Sequence, residues 1–204
     1  MEFVAFGGQC LIGVVFAMSA LSKIRGRTAR AEFVRATGAL LTALLGHRTG
    51  PRTARWAAAV VVVAESAVPV LIAAQVLHPL ASVVGSAAAA VLLGLFSVAI
   101  VRALRRGVRT SCRCFGTSQA PLGRRHLARN LGLLAVALTC GAALPQARSQ
   151  AWSQAWSQPA GAAVAGGAAL VLAVLVSRLD DLVELFVSPA AANAGPVPKD
   201  IPGA

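Results

Sequence analysis

Long apolar runs separated by short basic segments set the pattern of this chain. Crossing a hydrocarbon core of about 30 Å takes roughly 20 residues of α-helix, and five runs qualify as spans: residues 3–21, 56–77, 80–101, 127–144 and 160–177. None alternates polar and apolar positions as a membrane barrel strand would, so all five are predicted helices. The fourth carries Arg129 and Asn130 near its start, which must therefore lie close to the headgroups. The first has only Glu2 before it, with neither a basic lead nor a small-residue cleavage site, and reads as a retained span rather than a signal peptide.

The connections differ in kind. In AEFVRATGALLTALLG, residues 31–46, Phe33, Thr37, Leu40, Leu41, Leu44 and Leu45 fall at helical spacing, which predicts an amphipathic helix lying flat in the interface. His78-Pro79 leaves so little chain between the second and third spans that they must form an antiparallel hairpin. The repeat SQAWSQAWSQ, residues 149–158, puts Trp152 and Trp156 four apart, as suits an interfacial tryptophan pair. From Pro189 the chain is rich in Pro, Ala and Gly and is expected to be disordered. The expected fold is an all-α polytopic transmembrane bundle: a four-helix domain over 1–145, a Trp-containing loop over 146–159, a fifth helix over 160–188 and a tail over 189–204.

Composition agrees. With 57% apolar and 13% charged residues and a mean hydropathy of +0.72, the 204-residue chain is too oily for an ordinary soluble domain. Nineteen Lys and Arg against seven acids would suggest nucleic acid in a soluble protein. Here the bases sit between apolar runs, so the bilayer's headgroups are the expected counter-charge and no nucleic-acid partner is expected. The first loop holds Lys23, Arg25, Arg27, Arg30, Arg35, Arg48, Arg52 and Arg55; the third holds Arg102, Arg105, Arg106, Arg109, Arg113, Arg124 and Arg125. The intervening loop has none, and the loop before the fifth span has Arg148. Basic loops stay cytoplasmic, which predicts a multi-pass plasma-membrane protein with its N-terminus outside and its third loop inside.

That third loop contains TSCRCFGTSQAPLG, residues 110–123. Thiols at i and i+2 close a disulfide only with a tight backbone, so a Cys112–Cys114 bond would be strained and exchangeable. Arg113, Arg109 and Arg106 favour thiolate there. Two other readings stay open: incidental free thiols, or a soft-metal site for an ion such as Cu(I), although a structural zinc site wants four ligands and only His126 lies close in sequence. Cys10 and Cys140 fall roughly 10 Å and 6 Å below the predicted outer ends of their helices and form either a second thiol pair or two ordinary buried cysteines. A direct route from there to Cys112 would need a mobile carrier such as quinone, for which there is no motif. Glu65, mid-span beside Ser66 and Pro69, must face the bundle interior, be protonated, or pair with a cation or hydroxyl. If it is a functional carboxylate, Glu65→Gln should impair activity at little cost in stability. Ser22 and Lys23 are expected to anchor the first span, the lysine by snorkelling.

CRCFG followed by LARN at the start of an apolar helix resembles the Cys-x-Cys-Phe-Gly and Arg-Asn signature of the MauE family, through Cys112, Cys114, Phe115, Gly116, Arg129 and Asn130. VFAMSALSKI resembles that family's small residue shortly before a lysine, here Ala20 and Lys23, a feature shared more loosely with DoxX-type proteins, and Glu65 also fits. The resemblance covers roughly residues 1–145. It implies thiol redox support at a membrane, with Cys112 and Cys114 as the working thiols, for maturing an exported disulfide-containing client of the methylamine dehydrogenase type alongside a thioredoxin-like partner, with quinone as a conceivable electron carrier. The competing expectation is a non-catalytic scaffold or small-molecule permease whose cysteines are incidental.

Overall fold

The computed structural model describes residues 2–107, 124–142, 150, 152–155 and 157–179. Six long helices carry the fold: α1 (Glu2–Ile24), α2 (Arg27–Leu45), α3 (Pro51–Ala73), α4 (Pro79–Arg105), α5 (Arg124–Ala142) and α6 (Pro159–Ser177). No strand occurs among the described residues. Prolines at the first helical positions, Pro51, Pro79 and Pro159, start three of the helices, because a missing N–H costs nothing in a first turn. Gly26 (φ 99°) and Gly46 (φ 83°) occupy the positive-φ turns before and after α2, conformations a side chain resists.

Helices α1, α3, α4 and α6 are each long and apolar enough to span a bilayer; α3 does so together with the 3₁₀ turn Ala74–Val76. The expectation of five such spans needs correction at α5. Its first half holds Arg124, Arg125, His126 and Arg129, so by composition it falls short of the other four. It is held by packing against α4 and α1. Helix α3 also begins at Pro51, five residues before the expected Trp56. The expected hairpin forms: the His78 ring nitrogen accepts from Leu80 N–H at the start of α4, and α3 and α4 pack closely where Gly85 meets Leu71 and Ile72.

Helix α1 is central and packs on α3, α5 and α6, while α4 lies against α3 and α5. Ile12, Val15 and Phe16 of α1 meet Val68 and Ile72 of α3, Leu93 and Ile100 of α4 and Leu133 of α5 in one buried cluster. The outer surface is apolar as well, with Val60, Val63, Val91, Leu95 and Leu170 exposed. A bundle with this inside and outside is built for lipid rather than water.

Neighbours along the helices define two ends. At one, Gly161 of α6 sits on Phe3, Cys140 of α5 on Gly8, and Gln75 beside Gln9. At the other, α2 crosses the bundle: Phe33 reaches the end of α1, Gly38 meets Ala54 at the start of α3, and the carbonyls of Thr42 and Leu44 accept from Arg106 and Arg102 at the end of α4. Those guanidiniums satisfy the last carbonyls of α2 and oppose the negative end of its dipole.

Candidate functional site

Under α2 lies the most polar part of the bundle interior. Glu65 on α3 is wholly buried, and Lys23, in the last turn of α1, is 3% exposed. The Lys23 ammonium donates to Glu65 Oε1 at 2.6 Å, to Oε2 at 2.5 Å and to Ser19 Oγ at 2.8 Å, so all three of its N–H bonds are used. Ser19 Oγ in turn donates to Glu65 Oε2 at 3.3 Å. The sequence permits this because Ser19 and Lys23 are four apart and share a face of α1. Phe33 of α2 closes the site, its ring centre 5.0 Å from the ammonium, a cation–π contact in a desolvated setting. Pro69 has no N–H, so the backbone carbonyl of Glu65 loses its helical donor at this same point of α3.

The expected role of Lys23 as a snorkelling anchor is therefore wrong. A lysine near a helix end ordinarily reaches for water, but α2 covers that end and Glu65 supplies the counter-charge inside. Ser22 turns to the backbone and donates to Ser19 O at 2.7 Å.

From α5, His126, Arg129 and Asn130 also point inward and are buried. Arg129 is close enough to Lys23 for the two charges to repel. Arg129 Nη1 also donates to Val176 O near the end of α6 at 3.4 Å. Asn130 is 1% exposed, and neither atom of its amide has a hydrogen-bond partner among the described residues. Lys23, Glu65 and Arg129, read from three separate stretches of sequence, thus come together in one part of the interior.

At the opposite end, Gln9 Oε1 accepts from Gln75 Nε2 at 2.9 Å and from Trp152 Nε1 at 2.6 Å, and Trp152 packs edge-on against Phe6 at 5.1 Å. Sequence reading missed Gln9 and Gln75, since a single glutamine in an apolar run carries no local signal. Trp156 and the tail lie outside the described residues.

Cys112, Cys114, Phe115 and Gly116 also lie outside the described residues. Their flanks do not: Gly107 follows the α2-bound Arg106, and Arg124 opens α5 two residues before the buried His126. Both flanks sit at the end that holds Lys23 and Glu65. Neither Cys10 nor Cys140 is in a disulfide. Cys140 Sγ packs where a side chain on Gly8 would begin, 2.7 Å from that position, whereas Cys10 is two residues further along α1 and so turned roughly 200° away. Among the described residues, no three His, Cys, Asp or Glu side chains gather as metal ligands would.

Four apolar spans, a lipid-facing outer surface and a buried ion-paired interior define a multi-pass helical membrane protein. Compared with known families, residues 1–143 match the family described as methylamine utilisation protein MauE, and the chain belongs to that family. It is thereby a membrane protein of the methylamine-utilisation-associated class, with α6 lying beyond the matched region. Comparison with curated proteins and with solved structures gave no match.

Proposed function

We propose that this protein carries out thiol–disulfide exchange through Cys112 and Cys114, in support of the maturation of an exported or membrane enzyme of the methylamine dehydrogenase type. The observation that carries the reading is the attachment of the Cys-x-Cys segment. Cys112 lies five positions beyond Gly107, which tethers it within about 18 Å of the basic bundle end. Arg106 at that end, with Arg109 and Arg113 in the segment, favours the thiolate.

In the reducing direction, the Cys112 thiolate attacks one sulfur of a client disulfide, and the other client sulfur leaves and takes up a proton. Cys114 then attacks Cys112 Sγ, which frees the second client thiol and leaves the Cys112–Cys114 disulfide. A thioredoxin-like dithiol partner returns the two electrons by the same steps in reverse. Where the segment faces the cytoplasm of a bacterial plasma membrane, this partner is the protein it meets directly.

Trapping tests the reading. Cys114→Ser should accumulate a mixed disulfide on Cys112, visible as a dithiothreitol-sensitive band on a non-reducing gel and absent from Cys112→Ser. Both variants should lose client maturation at unchanged abundance. Full maturation supported by either single variant would leave a scaffold or permease with incidental cysteines.

A further inference from the structure

Helix α2 has two working faces. Phe33, Ala36 and Ala43 turn into the bundle. The other stripe runs along a groove of about 570 Å³ between α2 and α3, with Arg27, Arg30 and Val34 at intervals of three and four and Arg35 four after Ala31 beside them. The α3 wall is Ala54 and Arg55, and the two helices meet at its floor, where Gly38 lets Ala54 approach. Four guanidiniums thus line one small-residue groove. All four are exposed, and among the described residues none of the four is held in an ion pair with a carboxylate. Glu32, the one acid of α2, is three residues before Arg35 and borders that edge of the stripe, away from Arg27 and Arg30.

We propose that this groove binds the phosphate headgroup of an anionic phospholipid. Guanidinium forks match phosphate oxygens bidentately, and four of them suit a headgroup with more than one anionic oxygen. Depth selects a lipid over a soluble anion. Trp56 directly follows Arg55, is 74% exposed and precedes the apolar run of α3, as does an aromatic residue at the headgroup boundary. Val34 and the small residues below the arginines give the start of an acyl chain an apolar surface. The site is independent of the thiols and stands whether or not they exchange.

Native mass spectrometry of the detergent-purified full chain, titrated with phosphatidylglycerol or phosphatidylcholine of identical acyl chains, tests it. Phosphatidylglycerol should be retained preferentially. Arg30→Gln combined with Arg55→Gln should cut that preference by roughly 25-fold, from the contribution of each basic residue near an anionic surface. Arg25→Gln combined with Arg48→Gln, which removes the same charge outside the groove, should leave it largely intact. Equal loss in both pairs would overturn the site in favour of diffuse attraction, and equal retention of both lipids would overturn it outright. Displacement by millimolar inorganic phosphate would overturn the lipid as occupant. Should the groove variant fail to fold, the wild-type chain in phosphatidylcholine vesicles decides: a minor fraction of acyl-brominated phosphatidylglycerol should quench tryptophan emission more than the same fraction of brominated phosphatidylcholine, and equal quenching would sink the proposal.

Discussion

Lys23 and Glu65 form a pair in which neither residue is expendable alone. Each is buried, each takes most of its hydrogen bonds from the other, and removing one strands a charge in the bundle. Lys23→Met or Glu65→Gln should each lower stability by about 3–5 kcal/mol, whereas Lys23→Met with Glu65→Leu should cost less than either single change. Thermal unfolding in detergent, run as a double-mutant cycle, checks this; additive losses would refute it. The expectation that Glu65→Gln is mild thus reverses, because the amide leaves the buried Lys23 ammonium without its counter-charge. Glu65 was legible as an anomaly in an apolar run. Its partner was not, since only the fold of α2 over the end of α1 keeps Lys23 from water. Asn130 gives the opposite case: its buried amide has no partner among the described residues, so Asn130→Leu should raise the melting temperature while client maturation falls. Lower stability would mean the amide is satisfied after all.

At the scale of elements, the apolar runs located the helices well, since length and hydropathy decide what can span. They placed helix ends less well, because α3 gains its first turn from Pro51 and Arg52, and charge alone hides a helical start. Packing between helices was the least legible, as it depends on which small residues face each other. Gly8 shows this. A methyl there would stand 2.7 Å from Cys140 Sγ, so α1 and α5 approach only because Gly8 lacks a side chain. Gly8→Ala should destabilise the protein by about 1–3 kcal/mol, and adding Cys140→Ala should restore most of the loss. Recovery of this kind assigns Cys140 to packing. A redox role for Cys140 with Cys10 would instead show as an oxidant-induced bond between α1 and α5 that Cys10→Ser removes.

On the scale of the whole molecule, every lysine and arginine among the described residues lies at the end crossed by α2, while the opposite end is held together by the uncharged Gln9, Gln75 and Trp152. The loop-by-loop charge count therefore becomes a polarity of the folded bundle, with both basic loops emerging on one side. Carrying this end across the membrane would work against the retention of basic loops and against the potential, at about 2.3 kcal/mol per charge per 100 mV. The end bearing α2 should accordingly face the cytoplasm. Cys112 and Cys114 are bonded between Gly107 and Arg124 at that end, so an impermeant maleimide should leave them unmodified in intact cells and label them once the membrane is opened. Cys10 and Cys140 lie within helices toward the other end, and replacing both with alanine leaves the two loop thiols as the only targets. Labelling in sealed cells would invert the topology and put the thiol pair on the exporting side, in direct reach of secreted clients. Protection until permeabilisation would make the thioredoxin-like electron donor on the inner side the protein that the pair meets directly.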